Sequence, residues 1–150
     1  MYHKILVAVD GSPCSDKSLS SAISLAAQFA SHLSLVHVID NPLYMQMFGI
    51  YNNYALDIGE ESFAEGLKES GTKLLEYAER MALEKLPREQ VTTNLTFGHP
   101  ADRICEVAVE ENADLIIIGS QGMRSLERIL LGSVASSVVY KSKVSVLIAR

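Results

Sequence analysis

The sequence predicts one α/β domain over residues 1–150: an open, doubly wound, five-stranded parallel sheet in the order 3-2-1-4-5, with helices on both faces. Three observations carry this expectation. Short apolar runs such as Ile5-Leu6-Val7-Ala8-Val9 and Leu115-Ile116-Ile117-Ile118 lack the alternation of a half-exposed strand, as suits strands covered on both faces. Segments of helical period alternate with them along the chain, so strands are joined by crossovers rather than hairpins. A glycine turn, Gly119-Ser120-Gln121-Gly122, follows the fourth strand, and Gly132-Ser133 opens the helix after it.

The first strand ends at Asp10-Gly11-Ser12-Pro13, where Ser12 suits an N-cap and Pro13 the first helical position. The helix that follows carries Leu19, Ala22, Ile23, Ala26 and Ala30 on one stripe. Leu33 to Ile39 forms the second strand, broken by Asn41-Pro42. Residues 41–57 are apolar and aromatic but not periodic; they read equally as a lid, a partner surface or irregular core covering. A long helix runs from about Glu60 to Lys85 with Phe63, Leu67, Leu74, Ala78, Met81 and Ala82 on its inner stripe; Gly66 and Gly71 lower its propensity. Within it, Gly66-Leu67-Lys68-Glu69-Ser70-Gly71-Thr72-Lys73 approximates a P-loop, but its last two residues are reversed and no strand precedes it. Val91 to Phe97 is the third strand in sequence, and its alternation places it near a sheet edge. Gly98-His99-Pro100 starts a helix with Ile104, Val107 and Ala108 facing inward. The last helix covers Val134 to Tyr140 and the last strand Val144 to Ala149.

Composition narrows the function. The chain is 48% hydrophobic, 21% charged and carries a net charge of −5, an acidic balance that argues against non-specific nucleic-acid binding. No apolar run approaches the roughly 20 residues of a membrane span. The N-terminus enters a strand at once and leaves no room for a signal peptide, so a reduced cytoplasmic setting is expected. Cys14 and Cys105 form no CxxC or zinc spacing and read as small packed thiols; His3, His32 and His99 have no metal-ligand spacing, and His37 reads as a packed strand histidine.

In the order 3-2-1-4-5 the winding reverses between strands 1 and 4, and ligands of open α/β sheets bind beyond the carboxyl ends of the strands at such a point. Strand 1 ends at Asp10 and strand 4 at Gly119, so topology and glycine loop converge on one crevice. Glycines let backbone approach an anion, and a helix start supplies free N–H groups and a partial positive charge. Each residue also has a plainer role open to it. Asp10 suits a helix cap, the glycines suit turns, and Arg124 and Arg128 suit solvated surface. Ser120, Ser125 and Ser133 are phosphoryl acceptors in one reading and hydrogen-bonding loop residues in the other. No catalytic base, P-loop lysine or GxSxG elbow accompanies them.

The Gly119-x2-Gly122-x9-Gly132-Ser133 spacing, preceded by an isoleucine-rich strand, resembles the nucleotide-binding signature of the universal stress protein family. The opening Ile5–Ser12, Gly98-x-Pro100 and Leu130-Leu131-Gly132-Ser133-Val134 resemble that family too, so the likeness covers essentially the whole chain. It implies a Rossmann-like fold and membership of the subgroup that binds ATP, with Mg²⁺ or Mn²⁺ held through the phosphates and no metal site of the protein's own. It implies that Asp10 contacts the ribose or phosphate region and that Val9 and Val38 line the adenine pocket. Gly119, Gly122, Gly132 and Ser133 would hold the phosphates with the backbone of Met123, Arg124 and Val134. It further implies a homodimer paired through Val146, Leu147 and Ile148 of the last strand. Gln121 stands where a basic residue or histidine is common, and the segment before the last strand lacks the usual proline. Three functions follow from this reading: a nucleotide-dependent regulatory or stress-response dimer, a slow ATPase or self-phosphorylating protein, and a non-catalytic interaction module acting through residues 41–57.

Overall fold

The computed structural model describes residues 1–40, 58–122 and 131–150. The elements run β1 (Lys4–Ala8), α1 (Pro13–Phe29), β2 (His32–Ile39), α2 (Ile58–Leu83), a 3₁₀ turn (Arg88–Gln90), β3 (Val91–Phe97), α3 (Pro100–Glu110), β4 (Leu115–Gly119), α4 (Ser133–Lys141) and β5 (Ser145–Ala149). The strands form one sheet in the order β3-β2-β1-β4-β5, and every neighbouring pair is parallel. The expected order is therefore the observed one. The segment 41–57 and the residues Met123, Arg124, Ser125, Arg128 and Leu130 lie outside the described residues, as does the side chain of Phe63.

Alternation along the central strands divides the core into two layers. Ile5, Val7 and Val9 point with Leu33, Leu35 and Ile117 into the layer beneath α1 and α2. Leu6 points with Val36, Ile116 and Ile118 into the layer beneath α3 and α4. Both faces are thus apolar, which is why β1 and β4 read as unbroken hydrophobic runs. β3 lies at the edge of the sheet, where its sequence placed it, and its Thr92 and Thr93 are exposed.

Three local details differ from the expected ones. Ala30 is not on the buried stripe of α1: it is exposed and closes the helix in the left-handed conformation at φ 52°, its N–H donating to the Ala26 carbonyl. In α2 the deeply buried leucine is Leu75, with Leu74 half-buried beside it. Gly71 is buried because α2 lies so close to the sheet that a Cβ there would stand 2.8 Å from Leu95 Cδ1 and 2.9 Å from His37 Cδ2. The glycine that lowers helix propensity is thus the one that lets the helix dock.

The amino edge of the sheet is fastened by polar groups. Asp114 accepts from the backbone N–H of His3 at 2.6 Å and of Lys4 at 2.8 Å, tying β1 to the start of β4. Lys4 Nζ lies 3.0 Å from Glu111 Oε2, and Asn94 Nδ2 donates to Glu111 Oε1 at 3.3 Å. Burial alone would raise the Glu111 pKa, but hydrogen bonds, the one from Lys4 foremost, and the Lys4 charge outweigh it and hold the group below the ordinary glutamate range. A carboxyl with a lower pKa in the folded state adds stability above its unfolded value, about 4.3, and loses it as pH falls through the folded value. Glu111→Gln is therefore expected to lower stability at pH 7 by about 1.5 kcal/mol. It should also flatten the decline in acid, as read by urea unfolding from pH 7 to 3. Parallel acid limbs for the two proteins would refute this.

Candidate functional site

The carboxyl ends of β1 and β4, adjacent in the sheet, carry the turn Val9–Ser12 and the loop Gly119–Gly122. Gly11 turns the first of these at φ +80°, a conformation that a side chain disfavours. Asp10 is then held in place by its own neighbours: Ser12 N–H donates to Asp10 Oδ1 at 2.9 Å, and Asp10 N–H donates to Ser15 Oγ at 3.0 Å. Ser12 caps α1 as its sequence position predicted, accepting from Ser15 N–H at 3.2 Å. Its hydroxyl also donates to the Gln121 carbonyl at 3.3 Å and so ties the turn to the glycine loop. Asp10 is exposed, and its Oδ2 lies 2.9 Å from where a Cβ on Gly122 would stand.

The second half of the site is the start of α4. Gly132 is its N-cap at φ −69° and ψ 164°, and no side chain caps it among the described residues. The Gly132 N–H donates to the Ser120 carbonyl at 2.6 Å, so the helix start folds back onto the loop that leaves β4. The two helix starts that flank the crevice thus differ: α1 is capped by Ser12, whereas α4 presents its first turn from a bare glycine. Uncapped N–H groups and the helix dipole make such an end a place for negative charge. Lys141 at the far end of α4 donates to Asp102 Oδ1 at 2.6 Å and holds this helix against the first turn of α3. That hydrogen bond holds the Asp102 carboxyl below its usual range.

The glycines have separable duties. A Cβ on Gly119 would stand 2.8 Å from the Cys14 carbonyl carbon and 2.9 Å from its oxygen, so this glycine lets β4 pass under the first turn of α1. Among the described residues a Cβ on Gly122 would meet the Asp10 carboxylate alone, and one on Gly132 would stand 3.2 Å from the Ser120 carbonyl. Among the described residues, Gly122 and Gly132 therefore leave room between Asp10, the loop and α4. Ser133 is exposed at the first position of α4 and Val134 half-buried at the second.

The two valines assigned to a base pocket do not share a face. Val9 is 4% exposed in the layer beneath α1 and α2, whereas Val38 packs half-buried against the layer beneath α3 and α4. Val38 and Val134 border the same layer, and the Val9 side chain lies in the other. Met123 and Arg124 lie outside the described residues.

His37 is a site neighbour that the sequence reading treated as packing alone. Its Nδ1 lies 2.7 Å from the Val9 carbonyl, one residue before Asp10. The signal for it was available only through register, since pairing of Ala8 with Val36 sets His37 opposite Val9.

A family model described as the universal stress protein family matches residues 1–150. The chain belongs to the universal stress protein family. It is 36% identical over 152 residues to universal stress protein YxiE of Bacillus subtilis, with all of both chains covered. Among solved structures, the hypothetical protein MJ0577 matches at a TM-score of 0.81 and 28% identity, over 99% of this chain and 96% of that one. Two further family structures share the fold and were solved with nucleotides. One is a universal stress protein in complex with cAMP, with a TM-score of 0.68 and 24% identity over 99% and 97% of the two chains. The other is the Archaeoglobus fulgidus protein in complex with dAMP, with a TM-score of 0.67 and 23% identity over 99% and 98%. Rossmann-like architecture and family membership are thereby established, and adenine nucleotides occupy some members. Among the described residues no helix is long and apolar enough to cross a membrane.

Proposed function

We propose that this universal stress protein binds ATP in the crevice between Asp10, the Gly119–Gly122 loop and the start of α4, and acts as a nucleotide-dependent regulatory protein in the cytoplasm. The observation that carries the reading is the bare Gly132 N-cap of α4 set against the glycine loop and the Asp10 carboxylate. The two ends differ in chemistry as a nucleotide does. The α4 end offers backbone donors, which suit phosphate oxygens. Asp10 offers an acceptor, with Oδ1 already engaged by Ser12, and an ionised carboxylate only accepts, so it suits ribose hydroxyls rather than phosphate. Gly122, Gly132, Ser133 and Val134 would face the phosphates, with Met123 and Arg124 completing the loop. Val38 would border the base, and Val9 and Gly119 would shape the floor by backbone position. Bound Mg²⁺ or Mn²⁺ would ride on the phosphates and neutralise their charge. Among the described residues no group of three or more His, Cys, Asp or Glu could hold a metal ion.

Binding rather than turnover is the role this donor set fits, because among the described residues it offers positioning groups with no histidine or second carboxylate paired to Asp10 as a base. The protein would act as a homodimer through β5, whose Val146, Leu147 and Ile148 are half-buried on an unpaired sheet edge. Sedimentation of a monomer at micromolar concentration would remove the dimer. The decisive experiment is the nucleotide content of purified protein, released by denaturation and separated by anion exchange, followed by calorimetry of the emptied protein. Released ATP, or micromolar rebinding of it, is expected. Released ADP with production of ADP above blank would move the reading to a slow ATPase. An empty protein that ignores added ATP would refute the proposal.

A further inference from the structure

We infer that His37 is a positioning residue for Asp10, and that it passes the seating of α2 on the sheet to the crevice. At the end of β1 the Val9 N–H still donates to the Val36 carbonyl at 2.9 Å, but the Val9 carbonyl lies 2.7 Å from His37 Nδ1. A carbonyl can only accept, so Nδ1 carries the proton and the imidazole is fixed in one tautomer with respect to this bond. The next residue in the chain is Asp10. Its other ties, Ser12 N–H to Oδ1 and its own N–H to Ser15 Oγ, come from residues ahead of it. His37 supplies the tie from behind, and the carboxylate is thereby fixed from both directions.

The other side of the imidazole faces α2. The missing Cβ of Gly71 would stand 2.9 Å from His37 Cδ2 and 3.5 Å from Nε2, so the helix backbone backs the ring directly. One turn further along, Leu74 Cδ1 lies 3.6 Å from the Cβ position of Gly11, in the same turn that carries Asp10. A shift of α2 relative to the sheet would therefore move both the imidazole and the Gly11 turn, and with them the carboxylate. Polar chains of this kind act as units when each member is satisfied. The consequence for nucleotide affinity rests on the ATP reading above; the positioning of Asp10 does not.

The test compares two replacements of similar shape. Asparagine sets an amide nitrogen in the place of Nδ1, one bond beyond Cγ, whereas leucine keeps the branch and loses the donor. In nucleotide-free protein, His37→Leu is expected to speed hydrogen exchange at the Asp10 amide about fivefold, the worth of one net hydrogen bond, with the Leu6 and Ile117 amides unchanged. His37→Asn should restore wild-type exchange to within about twofold. ATP affinity by calorimetry should follow the same order, about fivefold weaker for leucine and nearly normal for asparagine. Wild-type exchange in the leucine variant, or an asparagine variant as impaired as leucine, would overturn the proposal. Should the leucine variant not fold, the wild-type protein decides by NMR. A protonated Nδ1 with coupling across the bond to the Val9 carbonyl supports the role, and an unprotonated Nδ1 overturns it. If wild-type protein binds no ATP, the nucleotide reading fails alone, since the Asp10 exchange rates still settle the positioning role.

Discussion

Gly119→Val is expected to lower the stability of the whole fold by about 3 kcal/mol or more, and not merely to empty the crevice. Forcing atoms into a close-packed site costs roughly 1–3 kcal/mol when side chains can adjust, and more when they cannot. Here the obstacle is backbone: the Cys14 carbonyl carbon and oxygen lie 2.8 Å and 2.9 Å from the Cβ position. The first turn of α1 cannot retreat cheaply, because Ser12 caps it and also reaches the Gln121 carbonyl. Nor can β4 retreat, because Gly119 pairs with Ala149 and the Ser120 N–H donates to the Ala149 carbonyl at 2.7 Å. Valine would have to separate two elements that these bonds hold in place. Urea unfolding measures the effect as a fall in the midpoint at unchanged m-value. An unfolding free energy within about 0.5 kcal/mol of wild type would mean that α1 is free to move, and that the glycine serves the ligand alone.

The division of labour among the glycines marks where the sequence stopped being legible. Spacing placed Gly119, Gly122 and Gly132 in one loop system, the expected strand order set it beside Asp10, and the structure brings all four together at the switch between β1 and β4. The strand order was legible for a physical reason: β1 and β4 are apolar on both faces, β3 alternates, and right-handed crossovers leave few ways to arrange them. What each glycine touches was not legible, since the contact with Cys14 joins residues 105 positions apart, and a spacing pattern carries no such distance. Gly71 was misleading for the same reason. Within its helix it lowers propensity, and only the docked sheet reveals that His37 and Leu95 occupy the space where a side chain would go. Leu74 and Leu75 illustrate a finer limit. Both lie near the inner stripe of α2, and a rotation of a fraction of a turn decides which is buried. Val9 and Val38 were placed in one pocket by likeness to the family, whereas register sets their side chains on opposite faces of the sheet. Where local period decides, the sequence is sufficient; where two distant backbones decide, it is silent.

Gly122→Val should do the reverse of Gly119→Val: leave stability within about 1 kcal/mol of wild type and weaken ATP binding at least about 100-fold. Gly122 is exposed, its φ lies outside the left-handed region, and among the described residues its Cβ would meet only the movable end of the Asp10 side chain, at 2.9 Å. Valine therefore strains no backbone. It displaces the carboxylate and fills the space that Gly122 and Gly132 keep open. Two contributions would then be lost together, the Asp10 acceptor and close approach to the loop amides, and hydrogen bonds to charged groups are worth about 1.5–3 kcal/mol each. Two such losses correspond to a factor of 100 or more. Gly132→Val acts on the same space from the helix side. Its extended φ of −69° and ψ of 164° suit valine, but the Ser120 carbonyl, 3.2 Å from the Cβ position, leaves less room to adjust, so a small loss of stability should accompany the loss of binding. Calorimetric titration with ATP, paired with thermal unfolding of each variant, separates the two effects. Binding at wild-type strength by a folded Gly122→Val protein would move the nucleotide away from Asp10 and the glycine loop. Loss of binding in all three variants, with loss of stability confined chiefly to Gly119→Val, would assign Gly119 to packing and the other two to the ligand.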